Sequence, residues 1–544
     1  MTIKSFPGQK GLFLIIMISF ILTISWGHVS WGQDRPLYVP GEILVKFRGD
    51  AYPVQMQSIK AELGLGLIKK LKRTGVEHIK MVSNLPLDRV LSRLRNSGLI
   101  EYAEPNYLRY PDAIPNDPFF NQLWGLNNTG QTLGTPDADI DATEAWNSVT
   151  GDPNFVVAVI DSGMDMSHPD LAVNVWTNPG EIPANNLDDD GNGYVDDVHG
   201  WDFSGNDNNP VDNVSICSGH GTHVSGTIGA VGNNGVGISG VNWNVKIMPL
   251  KVFRQYLFTY CAADDSDIIG AINYAADNGA RVSNNSYGGG PFSQAIYDAI
   301  RASKALYIAA AGNDGLNNNT TPFYPASYNL PNIVSVAATD HNDILAYFSN
   351  YGNISVDLSA PGVDIFSTLP NNNYASYNGT SMATPHVVGS AAILWDQDPL
   401  ATVNEIKWRL LRGVEPKGLP VLTGGRLNIN NSLNLPSPSI TIDLTPIGAT
   451  TVPRGGSLSY KVLVTNETST PKLVKLLVAA RLPNGSEVTI AGPYNINMSG
   501  NQVITNNFTR VVPVGVSVGE YTLFGRAEVI NQSFDEDPLG YIIY

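Results

Sequence analysis

At 544 residues the chain is longer than one ordinary hydrophobic core organises, so several folding units are expected. A formal net charge of -16 at pH 7, with only 15% charged residues, argues against a nucleic-acid partner, because phosphate binding needs clustered Lys and Arg. An acidic, sparsely charged surface suits extracellular conditions and calcium.

Lys4 and Lys10 flank the start of an apolar run, Leu12 to Trp26, which is short for a bilayer span and of the right length for a signal-peptide core. Residues 1–32 are therefore expected to be an export signal, cleaved between Ser30 and Gln33. Trp31 and Gly32 make a poor small-residue site, and retention as a membrane anchor is the alternative. No other stretch could span a membrane.

Residues 36–112 alternate strand-like and helix-like pieces: Gly41 to Phe47, an amphipathic stretch from Gln55 to Leu63, His78 to Val82, a helix from Leu87 to Leu94, then Glu101 to Tyr107. That order predicts a small α+β unit, followed by an exposed Pro-rich linker over Asn106 to Pro118. From about residue 119 to 436, short apolar runs (Phe155 to Ile160, Val245 to Val252, Leu306 to Ala311, Ile333 to Ala338) alternate with helical segments. This pattern predicts an α/β body whose parallel sheet is covered on both faces. The tail, 437–544, opens after Pro436 and includes Pro438 and Ser439. It then shows period-2 alternation (Leu458, Tyr460, Val462, Val464; Tyr521, Leu523, Gly525, Ala527, Val529) broken by turns such as Pro483-Asn484-Gly485. A β-sandwich is expected there.

Asp161-Ser162-Gly163 ends the run Val156 to Ile160, which puts a carboxylate at the carboxyl edge of a parallel sheet, where α/β folds gather functional groups. Alone it is a weak signal, since an Asp at a strand end is more often a turn or cap residue. Gly219-His220-Gly221-Thr222-His223 opens a helix of small residues, with glycines that permit close backbone approach. The two histidines also invite a zinc reading, but no glutamate lies between them and no third soft ligand is near. Cys217 and Cys261 are the only cysteines, too few for a disulfide scaffold. They are either two buried thiols or, after export, one bridge, which the position of Cys217 just before His220 favours. Asn378-Gly379-Thr380-Ser381-Met382-Ala383 runs from a glycine turn into an apolar helix. A serine at such a start exposes its hydroxyl and points its N–H outward, as an activated nucleophile and an oxyanion donor require; a plain helix cap is the alternative.

The order Asp, His, Ser, with all three on strand ends or helix starts, turns three weak signals into one. The chain resembles the subtilisin-like serine peptidases over about residues 36–436. That resemblance implies a hydrolase in which Ser381 is the nucleophile, His220 the proton shuttle and Asp161 the residue orienting it, with His223 structural. Asn313, in Ala309-Ala310-Ala311-Gly312-Asn313-Asp314-Gly315, would be an oxyanion donor. Ser286, Tyr287 and Gly288, with Ala311 and Gly312, would pair with the substrate as an added strand, and Phe323 would lie near the floor of the first specificity pocket. Residues 36–112 would be an inhibitory propeptide, 113–436 the catalytic domain and 437–544 the β-sandwich. Protein or peptide substrates are implied, and a monomeric, secreted mature form without a membrane span.

Asp117, Asp170, Asn234 and the carbonyls of Val231, Val236 and Ile238 resemble a thermitase-type calcium site, whose hard oxygen donors suit Ca2+ and not zinc. Asp188, Asp190, Asn192, Tyr194, Asp196 and Asp197 offer a second, EF-hand-like candidate. His199 replaces its closing glutamate, so Asp197 is needed as a substitute, and a solvated acidic turn is the alternative. Asp202, Asp207 and Asn209 are a third. Two rival functions remain at this stage: a transpeptidase or macrocyclase that passes the acyl-enzyme to an amine, and a catalytically silent surface-binding protein.

Overall fold

The structure, a computed structural model, describes residues 38–543 apart from 84, 109–112, 214–216, 218, 258, 436–438, 449–450, 483–486, 517–518 and 530–533. The expected signal segment, the opening of the tail at Pro436 and Pro438, and the Pro483-Asn484-Gly485 turn lie outside the described residues.

The N-terminal unit is α+β. Its four-stranded antiparallel sheet runs Leu65–Lys70, Glu77–Met81, Tyr38–Phe47, Ile100–Tyr107. Alternation along the first strand buries Ile43, Val45 and Phe47 against Ile59 and Leu63 of helix Pro53–Leu63 and Val90, Leu91 and Leu94 of helix Leu87–Arg95. The strand Leu65–Lys70 escapes a sequence reading because it is a sheet edge with only Leu65 buried.

The central body is built, in chain order, around β1 (Val156–Asp161), β2 (Trp201–Asp202), α1 (His220–Gly229), β3 (Lys246–Lys251), α2 (Asp265–Asp277), β4 (Val282–Asn285), α3 (Gln294–Ser303), β5 (Leu306–Ala310), β6 (Ile333–Thr339), β7 (Leu358–Pro361), α4 (Thr380–Gln397), β8 (Glu415–Pro416) and β9 (Gly425–Arg426). These strands form one nine-stranded sheet, β8-β9-β7-β6-β5-β4-β1-β3-β2. All neighbours are parallel except β8 and β9. Both faces are covered, which is why the strands read as unbroken apolar runs and every residue of β6 is buried. On one face Val157 and Val159 pack with Val224 and Ile228 of α1 and Val387, Val388 and Ala391 of α4. On the other, Ala158, Ile160, Met248 and Leu250 meet Ile268 and Ile272 of α2 and Ile296 and Ile300 of α3. After β3 the chain crosses to the opposite side of β1 to form β4, and a crevice opens at the carboxyl edge where the order reverses.

The tail is all-β. A three-stranded sheet (Ile440–Pro446, Ser457–Asn466, Val503–Val511) and a five-stranded one (Thr451–Val452, Phe534–Ile543, Gly519–Val529, Lys472–Arg481, Glu487–Met498) share a core of Ile442, Leu444, Val462, Val464, Val474, Leu476, Leu523 and Ala527. No helix among the described residues is long and apolar enough to cross a membrane.

Candidate active site

Asp161, the last residue of β1, is fully buried, and both its carboxylate oxygens face His220 Nδ1, at 2.8 and 3.0 Å. The close approach depends on Gly221, where a Cβ would stand 2.0 Å from the Gly163 carbonyl oxygen, so only glycine lets the start of α1 rest on the loop after β1. Ser162 ties the two together: its N–H donates to Asp161 Oδ1 (2.7 Å), and its Oγ accepts from Gly221 N (2.9 Å) and donates to buried Asp212 (3.1 Å). Asp212 also accepts from Thr222 N (3.0 Å) and Oγ1 (2.8 Å). Burial, with the charge of Asp161, pushes the Asp212 carboxyl up to about 6 against those hydrogen bonds. Burial alone would hold the His220 pKa down, but the Asp161 carboxylate, helped by Asp212, outweighs it and raises the imidazole above its ordinary value. The arrangement favours an imidazolium, which is the state a proton shuttle must pass through.

Ser381 is the second residue of α4, which packs against α1. Its Oγ donates to the Ser286 carbonyl (3.1 Å) rather than to His220, and Ser286 Oγ donates back to the Ser381 carbonyl (2.9 Å). That carbonyl is available because Pro385, inside α4, has no N–H to offer it. Catalytic hydrogen bonds commonly tighten only when substrate is bound. Asn313, just past β5, has its Oδ1 held by Thr380 N (2.8 Å) and Thr380 Oγ1 (3.0 Å), which turns its Nδ2 the other way. A Cβ built on Gly379 would lie 3.7 Å from that Nδ2 and 3.5 Å from Ser381 N, so the two donors stand close together beside the serine.

The expected cleft residues divide into two groups. Ser286 is buried and its hydroxyl is spent on Ser381, and the Tyr287 hydroxyl turns inward to Asn285 Oδ1 (3.1 Å) and Tyr307 (2.8 Å). Gly288 is exposed, whereas Ala311 is fully buried and Gly312 donates its N–H to Thr380 Oγ1 (3.2 Å). Phe323 reaches both Gly288 and Gly312. His223 is a packing residue: it stacks on Tyr377 with 4.5 Å between ring centres and its Nε2 meets the Ala375 carbonyl at 3.1 Å. Burial, with the nearby His220, pushes it down to about 3. Cys217 and Cys261 form a disulfide that joins the segment before α1 to the hairpin Arg254–Tyr256 and Tyr260–Ala262.

Of the metal-ligand candidates, Asp117, Asp170 and Asn234 come together around the 231–238 loop. Asp117 accepts from Asn233 N (2.7 Å) and Asn234 N (3.0 Å); Asp170 accepts from Ile238 N (2.9 Å), Asn234 Nδ2 (3.2 Å) and the Tyr374 hydroxyl (2.9 Å). In the second loop Asp188 and Asp190 converge with Glu181, their oxygens within 4.8 Å of one another. Glu181 was not read from sequence, since it precedes the loop and shares none of its spacing. Its Oε2 is buried and unpartnered. Asp196 instead accepts from Asn185 N (3.1 Å) and Asn186 N (2.8 Å), and Asp197 is held by Asn178 (3.0 Å), Asn192 (2.9 Å) and the Tyr274 hydroxyl. Tyr194 packs its ring on Trp201. At the third candidate, Lys251 Nζ sits 2.7 Å from buried Asp202, supplying there the positive charge a metal would bring.

Residues 152–428 match the subtilase family model and residues 30–106 the fervidolysin N-terminal prodomain model. The chain is 36% identical over 380 residues to a thermophilic serine proteinase of a Bacillus species, covering 69% of this chain and 82% of that protein. It is 37% identical over 288 residues to thermitase of Thermoactinomyces vulgaris (52% and 86%), and 32% over 436 residues to an extracellular protease of Xanthomonas campestris (75% and 70%). A covered parallel sheet with Asp, His and Ser gathered at its carboxyl edge defines a serine-type peptidase. The chain belongs to the subtilase family and is a serine endopeptidase.

Proposed function

We propose that the chain is exported and hydrolyses peptide bonds in extracellular proteins through an acyl-enzyme on Ser381. The observation that carries this reading is the closeness of Asn313 Nδ2 and Ser381 N beside the serine, with the Asp161–His220 pair at the same sheet edge. Ser381 Oγ attacks the scissile carbonyl and His220 Nε2 takes its proton. Asp161 fixes the tautomer that leaves Nε2 free, and the two donors hold the oxyanion. His220 then protonates the leaving amine and activates the water that releases the acyl group.

Residues 36–112 act as a propeptide that occupies the cleft until cut, 113–436 form the catalytic domain, and 437–544 form a β-sandwich spacer. Export rests on the leader-like residues 1–32 and on relatives named extracellular. Calcium has a structural role in this reading. Asp117, Asp170 and Asn234 would hold one ion. Glu181, whose Oε2 is buried and unpartnered, would hold another together with Asp188 and Asp190. Ser381→Ala is expected to accumulate as an uncut precursor that does not cleave casein; near wild-type cleavage by the folded variant would refute the assignment.

A further inference from the structure

We infer that Phe323 fills the subsite for the side chain of the residue whose carbonyl is attacked, so that the enzyme cleaves after small residues such as Ala, Ser and Gly and rejects Phe, Tyr and Leu. The inference rests on Ser381 being the nucleophile.

With the attacked carbonyl held between Ser381 Oγ and the two oxyanion donors, the flanking side chain enters the crevice between two adjacent chain segments. One continues from β4 through Ser286 to Gly288, the other from β5 through Ala311 to Gly312; β4 and β5 are parallel neighbours, with Asn285 opposite Ala309. Both walls end in a glycine, which would leave an open slot between them. The slot holds the phenyl ring of Phe323. A Cβ on Gly288 would meet Phe323 Cε1 at 2.2 Å, and one on Gly312 would meet Cδ2, on the other edge of the same ring, at 3.0 Å. A Cβ on Gly289 would stand 3.9 Å from Cε2. One ring therefore spans the gap from wall to wall.

The segment that carries the ring is fastened in place. Phe323 N donates to Ser327 Oγ (3.0 Å), Ser327 N donates back to the Phe323 carbonyl (2.9 Å), and Gly289 N donates to the Tyr324 carbonyl (2.8 Å), tying the segment to the cleft wall. Tyr324 is packed between Tyr328, at 4.7 Å between ring centres, and Phe292, at 5.4 Å. A methyl or hydroxymethyl group fits above the ring. A second aromatic or branched side chain must displace it, and overfilling a packed site is costly.

The test is a series of tetrapeptide p-nitroanilides differing only in the residue before the cleaved bond (Ala, Ser, Leu, Phe), run on the mature enzyme, on Phe323→Gly and on the milder Phe323→Ala. The wild type is expected to favour Ala over Phe by about tenfold or more in kcat/KM. Either variant should raise the Phe-to-Ala ratio of kcat/KM by about tenfold. A wild type that prefers Phe or Leu, or variants that leave the Phe-to-Ala ratio within about threefold of wild type, would overturn the inference. Labelling by a small fluorophosphonate, which has no side chain to seat in the slot, separates the two levels. An enzyme that is labelled at Ser381 yet prefers Phe refutes the Phe323 inference alone; an enzyme that is neither labelled nor active refutes the Ser381 reading and the inference with it.

Discussion

Replacing Asn313 tests the oxyanion geometry directly. The Asn313 amide is pre-set: Thr380 N and Oγ1 hold its Oδ1 at 2.8 and 3.0 Å, so no reorganisation is needed before Nδ2 meets the developing charge. Loss of one such pre-oriented donor costs about 10²–10³ in kcat, or about 2.7–4 kcal/mol, the size known for an oxyanion donor in a subtilisin. Asn313→Ala is expected to lose that much in kcat with KM within about threefold of wild type, because the donor meets the oxyanion and not the ground-state carbonyl. The variant also frees Thr380 N–H and Oγ1 at the start of α4, a loss comparable to a helix cap, about 1 kcal/mol of stability. Steady-state kinetics well below the melting temperature separate the two effects. Asn313→Asp keeps the Oδ1 contact to Thr380 and replaces the donor with an acceptor, so it should be at least as inactive while melting closer to wild type. A kcat within about fivefold of wild type for both variants, or a loss confined to KM, would refute the reasoning.

Asp212→Asn removes a buried charge that helps hold the His220 pKa up, while an amide oxygen can still accept from Thr222; the acid limb of kcat/KM should move to lower pH, and an unmoved limb would show that Asp212 only braces the loop. Calcium at about a hundredfold excess over Kd would add about 2.7 kcal/mol, roughly 4 °C in Tm for a body of this size, and chelation should remove it. Glu181→Gln should shrink that calcium-dependent increment without lowering the chelated protein's Tm, since it neutralises a buried unpartnered oxygen; an unchanged increment would exclude Glu181 as a ligand.

What the sequence made legible was whatever repeats locally. The strands of the central sheet, buried on both sides, announce themselves as apolar runs; Asp161 ends such a run, His220 and Asn313 sit beside glycines, and Ser381 follows Gly379 by two residues. The prodomain edge strand Leu65–Lys70 was invisible because nothing but Leu65 is buried along it. Glu181 and Asp212 were missed for a different reason. Each acts by meeting residues distant in sequence, Glu181 across a loop to Asp188 and Asp190, Asp212 across the helix start to Thr222, and no local pattern encodes such a meeting. Along the EF-hand-like spacing, Asp188 and Asp190 converge with Glu181, whereas the Asp196 carboxylate accepts from Asn185 N and Asn186 N.

Pro385 illustrates how such a meeting is built. Within a helix a proline is ordinarily a defect, since it leaves the carbonyl one turn earlier without its donor. Here the orphaned carbonyl belongs to Ser381, and Ser286 Oγ fills the vacancy at 2.9 Å while the Ser286 carbonyl takes the Ser381 hydroxyl at 3.1 Å. The reciprocal pair fastens the first turn of α4 to the end of β4, the strand that leads into the cleft wall at Gly288. The position of Ser381 and that of the chain leading to Gly288 are therefore coupled through this contact. Ser286 matters for its hydroxyl as well as for the main chain that the family resemblance assigns to it, because its hydrogen bond holds Ser381 at the same crevice into which Phe323 projects.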